Sequence, residues 1–143
     1  MVKVQQVFDA AIHLMDEQNE TNGATITTDT GEYRYRTISI LNTLIPALYP
    51  FSDTYDNSAA GRPVCPQLTI PASYKDPDFN QPVPLDDTLA LAVLPYELAS
   101  LLLAGEDSER SALFHRQYNQ VFADIRSKIP ASFEPIPMPY GAF

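Results

Sequence analysis

Thirteen prolines divide this 143-residue chain into stretches that can be helical and stretches that cannot. Seven lie between Pro50 and Pro84 and four between Pro130 and Pro139. Proline lacks a backbone N–H and its ring collides with the carbonyl four residues back, so neither region can be continuous helix. The remaining stretches are nearly proline-free and repeat their apolar residues with helical spacing. The expected fold is therefore all-α: a small helical bundle of about four main helices with a long Pro-rich loop and an extended C-terminal tail. The expected division is a helical domain over 1–128, including the Pro-rich loop 50–84, and an extended C-terminal arm over 129–143.

The first helix places Val4, Val7, Phe8, Ala11, Ile12 and Met15 on one stripe and is expected to end near Asn19. Thr21 to Thr30 is polar and β-branched, and suits a loop or a short extended excursion. A second helix should start at Asp29, which forms a capping-box pattern with Glu32. It continues through Ile38, Ile40, Leu41, Leu44, Ile45 and Leu48, a broad apolar arc. Pro46 should kink or end it. The third helix starts at Asp86 or Asp87 and runs to about Ala104, with leucines around its whole circumference, which marks it as central. The fourth starts within GEDSER, capped by Asp107 or Ser108, and should turn Leu113, Phe114, Gln117, Tyr118, Val121, Phe122 and Ile125 inward before stopping short of Pro130.

A loop as long as 50–84 inside a compact domain is usually functional or ordered by a partner. Phe51, Tyr55, Tyr74 and Phe79 supply the apolar area to pin it, either to a partner or to its own helices. In the tail, Phe133, Ile136, Met138, Tyr140 and Phe143 stand between prolines that favour a polyproline-like course. An apolar arm of this kind should pack on its own body or dock into a neighbour. These nine side chains are the candidate partner-binding residues.

Net charge is −9, which opposes general attraction to a phosphate backbone, and the pairs Arg34/Arg36 and Arg126/Lys128 read as ordinary surface charge. Specific nucleic-acid binding is not expected. Cys65 is the single cysteine, so no intrachain disulfide can form. The N-terminal stretch carries Asp9 within its apolar pattern, which fits an amphipathic helix and not a secretory leader. The most apolar run, Leu89 to Ala104, contains Pro95 and Glu97 and is too short to span a membrane, so cytosolic synthesis is expected. Without secretion, the Asn19-Glu20-Thr21 sequon carries little weight.

Residues able to do chemistry are sparse. Asp9, His13 and Glu17 are four apart on the first helix, but read as a solvent-facing row better than as a metal site. No acid is spaced to orient His115, which reads as a core-edge histidine. Cys65, with only Arg62 near it in sequence, reads as a packed, unreactive thiol. Asp86 and Asp87 read as helix-start residues. Phosphate-binding glycine loops, zinc spacings and nucleophile elbows are absent. No catalytic, cofactor-binding or metal-ligating residue is assigned, no cofactor is expected, and the chain does not read as an enzyme.

Three segments, EYRYRTISILNTLIPALYPFSDTY, GRPVCPQL and, directly after Pro84 and Leu85, DDTLALAVLPYELASLLLAGED, are followed by FHRQYNQ. Together they resemble small head–tail connector (adaptor) proteins of tailed-phage and prophage morphogenesis modules. The resemblance runs from about Glu32 to Gln120. It implies a structural subunit whose copies form a ring, of twelve in such families, beneath the portal. That ring would join the filled capsid to the next neck or tail component. The implied partners are the portal protein, the next neck or tail protein and other copies of the chain. The implied places are the host cytoplasm during assembly and then the virion neck. In such families an extended C-terminal segment reaches toward the portal, and 129–143 matches that segment in character. The alternative is a cytosolic helical module, unrelated to phage, that binds one protein partner.

Overall fold

The computed structural model describes residues 1–53, 65–70 and 76–128. Four helices build the body: α1 (Val4–Met15), α2 (Gly31–Leu48), α3 (Leu94–Leu103) and α4 (Ser108–Lys128). A π-helical segment, Leu89–Val93, leads directly into α3, and a 3-10 turn, Tyr49–Phe51, extends α2. No strand occurs among the described residues, only an isolated bridge between Lys3 and Pro82.

α3 is the axis of the bundle. Leu94, Leu98, Ala99 and Leu102 are fully buried beneath α1, α2 and α4. α1 contributes Val4, Val7, Phe8, Ala11, Ile12 and Met15, all fully buried, as its stripe requires. Each buried aliphatic or aromatic side chain of this size is worth about 1.5–3 kcal/mol relative to exposure, so the stripe alone fixes α1 to the axis. The central run is not enclosed on every side as expected, since Leu91 remains 44% exposed. The inward face of α4 is also narrower: Phe114 is buried, while Leu113 is 45% exposed and turned out. On α2 the buried stripe is Tyr33, Thr37, Ile38, Leu41, Ile45 and Leu48, with Ile40 and Leu44 only partly covered.

Local backbone chemistry explains where the helix limits differ from expectation. α1 ends at Met15, short of Asn19, because Asp16 takes a left-handed conformation with φ 58°. The Asp16 and Glu17 amides donate back to the carbonyls of His13 and Ile12, closing the helix end in a Schellman pattern. Thr30, not Asp29, precedes α2, and its hydroxyl turns back to donate to the Thr25 carbonyl at 2.7 Å. The Asp29–Glu32 capping box is therefore not formed. Pro46 lies inside α2 without ending it: the Tyr49 amide still donates to the Ile45 carbonyl beyond it.

Pro95 has a different consequence. Its ring would strike the Leu91 carbonyl in a regular α-helix. The turn before it is widened, and the Leu94 amide donates five residues back to Leu89. This π-turn carries the helix past the proline without a break. The helix start is as expected, with Asp86 Oδ1 accepting from the Leu89 amide at 2.9 Å. At α4, Asp107 Oδ1 accepts from the Arg110 amide at 3.1 Å.

The described parts of the Pro-rich segment are bound to the chain's own body. Leu68, Phe79 and Val83 are buried in the core, as is Leu85 directly after the segment. The amides of Val4 and Gln5, which begin α1 and have no partner within it, donate to the carbonyls of Gln81 and Phe79 at 3.0 and 2.9 Å. The Val83 amide donates to the Val2 carbonyl at 2.8 Å. Residues 65–70 are held by two side-chain amides, Asn42 on the backbone of Leu68 and Gln81 on that of Thr69.

Long polar side chains tie the helices together at their ends. Arg36 on α2 donates to the Leu102 carbonyl at 3.2 Å, and Arg110 on α4 donates to the Met15 carbonyl. Both satisfy carbonyls at helix C-termini, where positive charge is also favoured. Between α3 and α4, Ser100 and Ser111 exchange hydroxyl-to-carbonyl bonds, each at 2.8 Å, across a close approach.

Candidate functional site

Of the nine candidate partner-binding side chains, two lie within the described residues. Phe79 is 7% exposed, with its ring centroid 5.1 Å from that of Phe8 and the Arg34 guanidinium 5.8 Å from its face. Its apolar area is taken up inside the chain's own core. Phe51 is 38% exposed and meets Phe122 of α4 edge to face, with centroids 5.3 Å apart. Tyr55, Tyr74, Phe133, Ile136, Met138, Tyr140 and Phe143 lie outside the described residues.

The site with the clearest shape is a groove that the sequence pattern did not single out. It is a hollow of about 480 Å³ where α1, the π-turn and α3, and α4 come together. α1 contributes Ala10, His13 and Leu14, and α4 contributes Val121. Leu91, Ala92, Pro95 and Tyr96 form the third wall. Here the π-turn matters locally, because it carries Leu91 out of the core and into the groove wall. The lining is predominantly apolar, and among the described residues His13 and Tyr96 are its only titratable side chains. Among the described residues it offers apolar contact and shape, and no convergent polar groups of the kind that orient a small substrate. The signal in the sequence was an excess of apolar residues on the central run, more than three neighbouring helices can cover.

The Asp9–His13–Glu17 row does not converge. Asp9 Oδ1 accepts from Gln5 Nε2 at 2.7 Å and from the Thr25 hydroxyl at 2.6 Å, so it anchors the loop after α1. His13 turns to the groove. Among the described residues, no group of three or more His, Cys, Asp or Glu side chains could hold a metal ion. Cys65 is half-buried, its Sγ donates to the Pro66 carbonyl at 3.4 Å, and burial pushes the thiol pKa up. That disfavours the thiolate and any nucleophilic role.

His115 does have an acid partner, on a different helix from its own. Glu97 of α3 is 7% exposed, and its Oε2 lies 2.9 Å from His115 Nδ1, while Asn119 Nδ2 lies 3.3 Å from Nε2. A hydrogen on Nδ1 satisfies both contacts: Nδ1–H donates to Glu97 and Nε2 accepts from Asn119. Tyr118 stacks on the imidazole at 6.3 Å. The arrangement works as a latch across the α3–α4 hairpin. The same antiparallel register pairs Ser100 with Ser111, so folding α3 back on α4 about GEDSER would have found the pair.

Charge gathers at one end of the bundle. Asp16, Glu17, Glu20 and Asp29 surround a polar hollow formed by the turn after α1 and the approach to α2. Their clustering concentrates part of the −9 charge on a single rim. Among the described residues, no helix is long and apolar enough to cross a membrane.

Comparison with protein-family models, with curated proteins and with solved structures finds no match for this chain.

Proposed function

We propose that the chain is a structural adaptor subunit of a tailed-phage head–tail connector. In this reading its copies assemble as a ring beneath the portal and join the capsid to the neck or tail. The observation that carries the reading is the pairing of a rigid α-helical body with an open apolar groove at the α1–α3–α4 junction. A ring subunit needs such a body, together with apolar surface that becomes covered when neighbours arrive. Exposed Phe51 and Leu113 add to that surface.

The acidic rim at Asp16, Glu17, Glu20 and Asp29 also suits a ring. If it faces the lumen, like-charge repulsion keeps passing DNA from adhering to the wall. A lumen found neutral or basic in an assembled ring removes that part of the proposal.

A second reading, a helical module that binds one partner protein, draws on the same groove. Stoichiometry separates the two: an adaptor forms rings on a portal, and a module forms a simple pair. The decisive experiment is co-expression with a tailed-phage portal protein, followed by electron microscopy of the purified complexes, with and without residues 129–143. Ring density beneath the portal supports the adaptor. A full-length chain that never joins a portal, under conditions where other neck proteins do, ends that assignment.

A further inference from the structure

We infer that the groove between α1, α3 and α4 is the docking site of the chain's own C-terminal segment, 129–143, in the isolated subunit. The inference concerns the free chain and stands or falls separately from ring assembly.

The groove lies within reach of the segment. The groove's α4 wall is Val121, and α4 ends at Lys128. Seven residues of helix separate the two positions, about 10 Å at 1.5 Å per residue. Pro130 forbids the helix from continuing, and the residue before a proline is biased away from helical backbone. The four residues from Ile129 to Ser132 span up to about 13 Å when extended, enough to return the chain to the level of Val121. Phe133 onward would then face the groove. The whole segment of 15 residues could reach about 46 Å in a polyproline course, well beyond what the groove requires.

Groove and segment also match in chemistry. The groove is apolar, and Leu91 in its wall is 44% exposed, an unfavourable state for a leucine beside other apolar groups. The segment carries Ile129, Phe133, Ile136, Met138, Tyr140 and Phe143 against a single charged side chain, Glu134. In a chain of net charge −9 it is the stretch best suited to an apolar site. Its four prolines restrict the unbound backbone, which lowers the entropy lost on docking. Covalent attachment to α4 adds an effective concentration in the millimolar range for a short linker, an advantage that no free partner shares.

Methyl NMR on the full-length chain tests this without truncation. Selective labelling of methionine, leucine and alanine methyls gives, besides the exposed Met1, two methionine reporters: Met138 in the segment, and Met15, which is fully buried on α1. The expected result is a set of NOEs from the Met138 methyl to the methyls of Leu91 and Ala92. They should persist on dilution and be absent in a filtered experiment on mixed, differently labelled chains. Leu91→Asp should lower the docked fraction at least about tenfold and leave the Met15 resonance in place. A Met138 methyl without groove NOEs overturns the inference, as does a Leu91→Asp variant that keeps its contacts to Ala92. NOEs found only between differently labelled chains overturn it too, and make a second copy the occupant. Should Leu91→Asp disturb Met15, the unsubstituted chain's NOE pattern decides alone.

Discussion

The side-chain amide of Asn42 grips the backbone of Leu68 on both sides, donating to its carbonyl at 3.0 Å and accepting from its N–H at 2.8 Å. A helix residue thereby takes the place of a neighbouring strand, and the buried Leu68 side chain is set into the core by a polar contact. Asn42→Ala removes both bonds and leaves two backbone groups unpaired, at a cost of about 1–3 kcal/mol. Urea unfolding should report that loss, and amide exchange at Leu68 should accelerate. Unchanged exchange at Leu68 would count against the clamp.

Glu97 depends on His115 in a comparable way. With the imidazole gone, a nearly buried carboxylate loses its hydrogen-bond donor. Since His115 is itself about half exposed and water can partly take its place, His115→Ala should cost only about 1 kcal/mol. Combining it with Glu97→Leu should recover most of the loss, because the buried carboxylate goes as well. A double-mutant cycle by chemical denaturation measures the coupling. Strictly additive losses would show that the two side chains do not act as a pair.

Alkaline pH should destabilise the fold. Tyr33 is held well above the ordinary tyrosine range by burial first and then by its hydrogen bond to the Glu106 carboxylate. Burial, together with the Glu97 charge, raises Tyr118, and burial raises Cys65. All three groups are neutral when protonated, so the folded state holds their protons more tightly than the unfolded chain does. Their stabilising effect is intact below the unfolded-state values and is lost as pH climbs past about 8.5 for the thiol and about 10 for the phenols. The urea midpoint should fall over that range. Tyr33→Phe should flatten the fall, whereas an unchanged slope would mean that Tyr33 is not a main contributor.

Asp16 is the one non-glycine residue with positive φ among the described residues. Glycine adopts that conformation without the Cβ conflict. Asp16→Gly should therefore stabilise the fold by about 0.5 kcal/mol, the relief being partly offset by greater freedom of the unfolded chain. Thermal unfolding checks the sign. A clear loss of stability would show that the Asp16 carboxylate, which accepts from Gln18 Nε2 at 3.0 Å, matters more than the strain.

How much of this could be read in the chain itself depended on the distance over which each feature is decided. The buried stripe of α1 and the caps at Asp86 and Asp107 follow from residues three or four apart, and those expectations hold. Helix ends proved harder where the backbone chose between near-equal options. Asp16 entered the left-handed region early, and Thr30 displaced Asp29 because its hydroxyl found the Thr25 carbonyl. The passage through Pro95 needed a widened turn that no apolar pattern announces. Glu97 with His115, and Asn42 with Leu68, are contacts between distant segments, visible only once the helices are laid against each other. The groove belongs to the same class, since it is the space that three helices leave between them.

The opening of α1 is completed by residues 79–83, which lie far along the chain. During synthesis the first helix is therefore unfinished: its leading amides face water until the ribosome has released Phe79 and Gln81, whose carbonyls receive them. Nascent α1 must wait, as a frayed amphipathic segment, for the middle of the protein to arrive and close it. The order of manufacture and the order of consolidation run in opposite directions at this point.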